Sequence, residues 1–196
     1  MRVTGGRHAG RSLRAPRGRS VRPTADRVRE SLFARLGELD GAEVLDLFAG
    51  TGALGIEALS RGAARAVFVE RARAPLTCLE ANLDELGLEP RSRVLAGSVA
   101  SALVRLEGEG ARFHLVLVDP PYASAEVEAV LRGLVSRRLL ATGATVVVES
   151  GRRQPLPEVA GLACLDERRY GETLIRRYAP VDPGSPGGAE GGLGSG

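Results

Sequence analysis

The chain has 196 residues, 43% hydrophobic and 26% charged, which suits one globular domain with a short appendage and excludes a chain disordered throughout. It holds no run of ~18 apolar residues, so no membrane span is expected. Its two cysteines, Cys78 and Cys164, make neither a disulfide framework nor a CxxC metal site. The net charge of +3 is unevenly spread: residues 1–35 carry ten arginines against Asp26 and Glu30, and the remainder carries seventeen arginines against twenty-two acids. A basic arm on a mildly acidic body suggests nucleic acid or another anionic surface. All 27 basic residues are arginine, which excludes a Schiff-base lysine and a Walker-type phosphate lysine. Codon bias in a G+C-rich genome is the simplest origin of that usage.

Residues 1–23 read as a short basic hairpin and a loop. Glycines at 5, 6, 10 and 18 and prolines at 16 and 23 break any amphipathic transit helix, and no apolar signal core is present. The arm is therefore expected to belong to the mature, cytoplasmic chain. A helix is expected from Thr24, which can cap it, with Val28, Leu32, Leu36 and Leu39 as its apolar stripe. Strands at 44–48, 66–70, 93–96, 113–119 and 144–149 then alternate with helices at 52–61, 72–86, 98–106 and 125–136. That rhythm predicts an α/β fold with a doubly wound, mostly parallel sheet covered on both faces. Runs at 162–168 and 172–178, joined by Arg169-Tyr170-Gly171, read as a β-hairpin adding antiparallel strands at the edge. Residues 180–196 are mostly Gly, Pro and Ser and are expected to be a disordered tail. The domain scheme is thus an arm at 1–23, a single domain at 24–179 and a tail.

Gly50, Gly52 and Gly55 form a GxGxxG between an expected strand and helix, where glycine permits a tight turn and close approach of a ligand. Glu70 ends the next strand, 20 residues after Gly50, in the place where a carboxylate takes two ribose hydroxyls. Both a nicotinamide dinucleotide and S-adenosylmethionine fit this much. Asp46, inside the strand end, favours the second: it suits the cofactor's α-amino group or sulfonium and would repel a pyrophosphate. A bare βα turn without ligand is the third reading.

Asp119-Pro120-Pro121-Tyr122 follows the apolar run 113–118, beyond the carboxyl end of a strand. Two prolines rigidify the loop and remove N–H donors, leaving the Asp119 carboxylate and the Pro120 carbonyl as acceptors. These suit the protons of an exocyclic amine on a planar base. Drawing those protons frees the nitrogen lone pair for methyl transfer, and Tyr122 can stack on the base. A plain strand-end turn is the alternative for this segment.

The order of glycine loop, strand-end Glu70 and Asp-Pro-Pro-Tyr resembles class I S-adenosylmethionine-dependent methyltransferases that act on exocyclic amines. Arg2-Val3-Thr4-Gly5-Gly6, Gly10-Arg11, Arg22-Pro23-Thr24, Arg27-Val28-Arg29-Glu30 and Tyr170-Gly171-Glu172-Thr173 resemble the RsmD family of bacterial 16S rRNA (guanine-N2)-methyltransferases. The resemblance implies a seven-stranded sheet in the order 3-2-1-4-5-7-6. It implies that Asp46, Phe48, Gly50, Gly52 and Glu70 bind S-adenosylmethionine, and that Ser98 and Val99 lie beside its adenine. Many relatives carry Asp or Asn in place of Ser98, and often Phe in place of Tyr122. It further implies 16S rRNA in a small ribosomal subunit as partner, methylated at N2 of one guanine, with Asp119, Pro120, Pro121 and Tyr122 catalytic.

Arg2, Arg7, Arg11, Arg14, Arg22 and Arg27 are the candidate RNA contacts, in a flexible cationic segment with no aromatic platform. Some of the charge of Arg27, Arg29 and Glu30 can be taken up in local pairs. His114, Cys78 and Cys164 read as structural or core residues, and Asn82 as a cap or a contact. No metal and a monomer are expected. Three other functions compete: an adenine-N6 methyltransferase sharing the Asp-Pro-Pro-Tyr motif, a nicotinamide oxidoreductase, and a non-catalytic RNA-binding assembly factor.

Overall fold

The computed structural model describes residues 1–16, 23–120, 124–152, 154 and 156–181. Among the described residues, five α-helices surround a seven-stranded sheet. Chain order is α1 (Pro23–Leu36), β1 (Glu43–Leu47), α2 (Ala53–Ser60), β2 (Arg65–Glu70), α3 (Arg73–Leu86), β3 (Ser92–Ala96), α4 (Val99–Gly108), β4 (Phe113–Val118), α5 (Ser124–Ser136), β5 (Leu140–Gly151), β6 (Leu162–Tyr170) and β7 (Thr173–Pro180). The sheet order is β3-β2-β1-β4-β5-β7-β6, as the family resemblance implied. The first five strands are parallel, and β7 runs antiparallel to both β5 and β6.

The parallel strands are buried on both faces, which explains their near-continuous apolar runs. Residues one apart on a strand serve opposite layers. Val44, Phe68, Leu115, Leu117 and Val147 pack under α1, α2 and α3. Leu45, Leu47, Val69, Val116 and Val148 pack under α4 and α5. Among the described residues no helix is long and apolar enough to cross a membrane.

α1 starts at Pro23, one residue before the expected capping position, so Thr24 lies inside the helix. Proline's fixed φ and missing N–H suit a first helical turn. Residues 1–16 form a small hairpin, with an antiparallel bridge between Arg2 and Ser12 and a Val3 N–H to Arg11 C=O bond of 2.9 Å. The hairpin is docked, which the flexible reading did not anticipate: Val3 and Leu13 are buried in the α1–α3 layer. Cys164 is exposed, against the expectation of a core residue, because β6 is the edge strand and its register shifts between Cys164 and Asp166. The tail from 182 onward lies outside the described residues.

Candidate active site

The sheet order reverses between β1 and β4, which are neighbours. In such sheets the crevice beyond the carboxyl ends of the strands is the binding place. The turn leaving β1 is tightly wound. Phe48, Gly50 and Gly52 have φ of 60°, 57° and 83°. A Cβ on Gly52 would stand 2.3 Å from Leu79 Cδ1, so that position also needs glycine for space. Phe48 holds the left-handed conformation with a full side chain, a local strain of about 1–2 kcal/mol.

Two carboxylates shape this turn. Asp46 is 1% exposed, and its Oδ2 accepts the Gly55 N–H at 2.9 Å. Burial pushes its carboxyl up to about 7; the Gly55 N–H opposes this, and the charges of Asp119 and Glu70 reinforce it. Glu70 accepts from Gly50 N–H at 2.8 Å and from Ala72 N–H at 2.6 Å, tying the turn to the end of β2. At the end of β3, Gly97 N–H donates to Glu70 C=O at 3.0 Å. Ser98 then caps α4 by accepting from Ser101 N–H at 3.2 Å. The Ser98 hydroxyl is thus engaged with the cap, and the buried Val99 opens the helix behind it.

Asp119 and the half-buried Pro120 follow β4; Pro121 and Tyr122 lie outside the described residues. The Asp119 N–H is 3.5 Å from Leu47 C=O, which holds the start of the loop against the end of β1. The β4–β5 register pairs Val118 with Val148. One residue further on each strand come Asp119 and Glu149, which meet at the sheet's carboxyl end. Burial holds the Glu149 carboxyl above its ordinary range; the Asp119 charge adds to this and the Arg29 charge opposes it. Asp46, Glu70, Asp119 and Glu149 are thus grouped near the carboxyl ends of β1, β2, β4 and β5, close enough for the charge of Asp119 to act on both Asp46 and Glu149. The negative charge that this group carries suits a cationic ligand and disfavours a pyrophosphate.

The same site extends into the N-terminal hairpin. Glu57 on α2 is fully buried and binds four donors: Thr4 N–H at 2.7 Å, Thr4 Oγ1 at 2.8 Å, Arg29 Nε at 3.3 Å and Arg61 Nε at 2.7 Å. Arg29 also donates to Asp26 at 2.9 Å and to the Arg2 carbonyl. Ser60 adds two contacts, accepting from His8 N–H at 2.9 Å and donating to Gly5 C=O at 2.6 Å. Arg2, Arg7, Arg11, Arg14 and Arg27 are exposed on this docked hairpin and the start of α1; Arg22 lies outside the described residues. Arg14 already pairs with Glu85. Burial and the charges of Arg91, Arg11 and Arg7 lower the His8 pKa. Among the described residues, no group of His, Cys, Asp or Glu is arranged to hold a metal ion.

The model of the family described as Conserved hypothetical protein 95 matches residues 1–179. The chain belongs to that family. It is 38% identical to the Ribosomal RNA small subunit methyltransferase D of Escherichia coli strain K12, over 91% of this chain and 89% of the relative. The solved structure of yhhF from Escherichia coli, a candidate methyltransferase, superposes with a TM-score of 0.81 at 38% identity, covering 92% of this chain and 97% of that one. SMU.776, a candidate methyltransferase solved with SAH, is 15% identical, with a TM-score of 0.63 over 81% of this chain and 50% of that one, and shares the fold. The resemblance read from the sequence is borne out at the level of family and class I methyltransferase fold.

Within this methyltransferase, the buried Glu57 and Asn82 and the half-buried Glu149 took no part in the sequence-based site. Glu57 is the lone acid in the apolar run of α2, a pattern that signals a buried charge with partners. Glu149 is a strand-end acid like Asp119, and its position alone marks it. Asn82 is 1% exposed on α3, and nothing in its own neighbourhood along the chain announces its contacts.

Proposed function

We propose that this chain transfers a methyl group from S-adenosylmethionine to the exocyclic N2 of one guanine in bacterial 16S rRNA, on an assembled or assembling small subunit in the cytoplasm. The observation that carries the reading is the row of strand-end acceptors, with Asp119 and Pro120 beside Glu149 and next to the Asp46–Glu70 turn. Family membership and the named activity of the Escherichia coli relative supply the substrate class.

The residues present fit the cofactor. Gly50 and Gly52 bring backbone close to a ligand; Asp46 takes the Gly55 N–H, and with no side-chain cap at Gly52 the N–H groups of Ala53 and Leu54 are left for the methionine carboxylate. Glu70 takes the ribose, since a carboxylate that accepts two backbone N–H groups retains lone pairs for hydroxyls. Phe48 and Val99 supply apolar contact, and the backbone at Val99 and the Ser98 cap flank the adenine. Asp46 orders the turn and places its charge toward the ammonium. The bound cofactor supplies an electrophilic sulfonium methyl.

Asp119 Oδ and the Pro120 carbonyl accept the two protons of the guanine amine. This localises the nitrogen lone pair and aims it in line with the methyl group. The new N–C bond forms as the S–C bond breaks, its electron pair neutralises the sulfonium, and the nitrogen sheds one proton to the Asp119 side or to water. Pro121 stiffens the loop and Tyr122 stacks on the base. The arm at 1–23 and Arg27 grip phosphates, and the domain at 24–179 performs the chemistry as a monomer.

The test offers labelled S-adenosylmethionine to unmodified small subunits, naked 16S rRNA and duplex DNA, followed by digestion to nucleosides. Label in N2-methylguanosine from subunits or rRNA is the expected result. Label in N6-methyladenine would make the adenine reading correct. Asp119→Ala should lower methyl transfer by about 100-fold or more while RNA binding persists. Undiminished transfer would overturn the role given to Asp119, and binding without transfer in the parent chain would favour an assembly factor.

A further inference from the structure

Asn82 makes three hydrogen bonds from a buried position on α3. Its Oδ1 accepts the Arg14 N–H at 2.7 Å, and its Nδ2 donates to Arg14 C=O at 3.2 Å and to Thr51 C=O at 3.0 Å. The partners fix the amide's orientation, because only an oxygen can face the Arg14 N–H and only a donor can serve two carbonyls. Arg14 is thus held at both its backbone groups, as a strand neighbour would hold it. Thr51 is the residue between Gly50 and Gly52. One side chain therefore ties the hairpin to the middle of the glycine turn.

The surroundings strengthen this link. Leu79, one turn earlier on α3, sits under Gly52, so the same helix supports the turn from below. Glu85, three residues after Asn82, pairs with the Arg14 guanidinium, and its carbonyl accepts from Arg11 at 3.4 Å. Both ends of the contact serve ligands in the function proposed above: the turn holds cofactor and the hairpin holds RNA. Among the described residues, the Asn82 side chain hydrogen-bonds only to the backbone of Arg14 and Thr51.

We propose that Asn82 is the positioning residue that couples cofactor occupancy at the glycine turn to RNA affinity at the N-terminal hairpin. Ordering of the turn by cofactor fixes the Thr51 carbonyl. Through Asn82 that order fixes the backbone of Arg14 and the placement of the arginines around it. Linkage makes the effect reciprocal: bound RNA strengthens cofactor binding by the same factor.

The inference rests on the proposed binding of cofactor and RNA, and the experiment separates the two. The affinity of the full chain for transcribed 16S rRNA is measured with and without saturating S-adenosylhomocysteine at one salt concentration. The affinity for S-adenosylhomocysteine is measured with and without that RNA. The parent chain is expected to show a coupling factor of about 5 or more, equal in both directions. Asn82→Ala should bring the factor to about 1. Asn82→Asp, which keeps an acceptor for the Arg14 N–H and loses both donated bonds, should also lower it, and it serves if the alanine variant does not fold. Parent chain that binds neither ligand overturns the functional reading. Parent chain that binds both with a factor near 1 overturns this inference alone. Variants that bind RNA more weakly but keep the parental factor do so too, and mark Asn82 as a staple for the hairpin.

Discussion

The glycine turn and the N-terminal hairpin lie on either side of Asn82, yet they are held in opposite ways. The turn is organised by its own segment and the strand beside it: Asp46 and Glu70 hold its N–H groups, and glycines supply its left-handed positions. The hairpin closes on itself through the Arg2–Ser12 bridge and five backbone hydrogen bonds, but it borrows its place on the body from α1 and α2 through the buried Glu57. Loss of the Glu57 contacts should therefore free the hairpin from the body before it disturbs the turn. The placement of the hairpin's arginines thus depends on the core beneath it.

The sharpest way to break the comparison is Glu57→Ala. It leaves Arg29 and Arg61 without their buried carboxylate and Thr4 N–H without an acceptor, which should lower stability by about 3–5 kcal/mol. Chemical denaturation checks the loss. Limited proteolysis should cut first in the hairpin, while Glu57→Gln, retaining an acceptor, should be milder. Uniform cleavage across the chain would refute the borrowed order. Gly52→Ala attacks the turn instead. The new Cβ collides with Leu79 at a positive φ, for a loss of about 2 kcal/mol and abolished cofactor binding. Calorimetric titration with S-adenosylhomocysteine measures it, with hairpin proteolysis unchanged.

The difference in construction also decides what could be read from the sequence. The turn was legible because its signals are local: three glycines, Asp46 before them and Glu70 20 residues on from Gly50 all act within one βαβ unit. The five parallel strands and the terminal hairpin were legible for the same reason, since apolar runs of fixed period report burial directly. The docking of residues 1–16 was not legible. It depends on pairs such as Thr4 with Glu57 and Arg14 with Asn82, separated by 53 and 68 positions, where no period links the partners. Charge pattern alone portrayed the segment as a free arm. Cys164 misled by composition, because a small sulfur side chain suits a core and only the edge position of β6 exposes it.

A smaller effect separates the two carboxylates of the turn. The Asp46 carboxyl stands at about 7, so it is largely protonated below that pH and ionised above it. If its charge serves the cofactor's ammonium, affinity for S-adenosylhomocysteine should climb between pH 5.5 and 7, by up to about tenfold per unit, before the ligand's own amine begins to titrate near ~8. Asp46→Asn should flatten this rise, and a rise that survives would assign it elsewhere. Stability should run the other way. Raised folded-state values for Asp46 and Glu149 mean that the native state binds these protons more tightly than the unfolded chain. Their contribution is full below the ordinary carboxylate range and is lost as pH rises through the folded values.

The least change is expected from single arginines on the hairpin, and it sharpens the comparison most finely. Arg7 and Arg14 are both exposed, but the Arg14 guanidinium pairs with Glu85 while its backbone is pinned by Asn82. A phosphate contact from Arg7 releases a counterion outright, so Arg7→Ala should reduce the slope of log affinity against log salt by about 1. Arg14 must give up or share its carboxylate partner to reach a phosphate, so Arg14→Ala should change the slope by less. Filter binding of 16S rRNA across a salt series distinguishes the two. Equal slope changes would mean that the Glu85 pair dissolves when RNA arrives. The hairpin would then offer a set of equivalent charges, and only its backbone would carry the order imposed from the core.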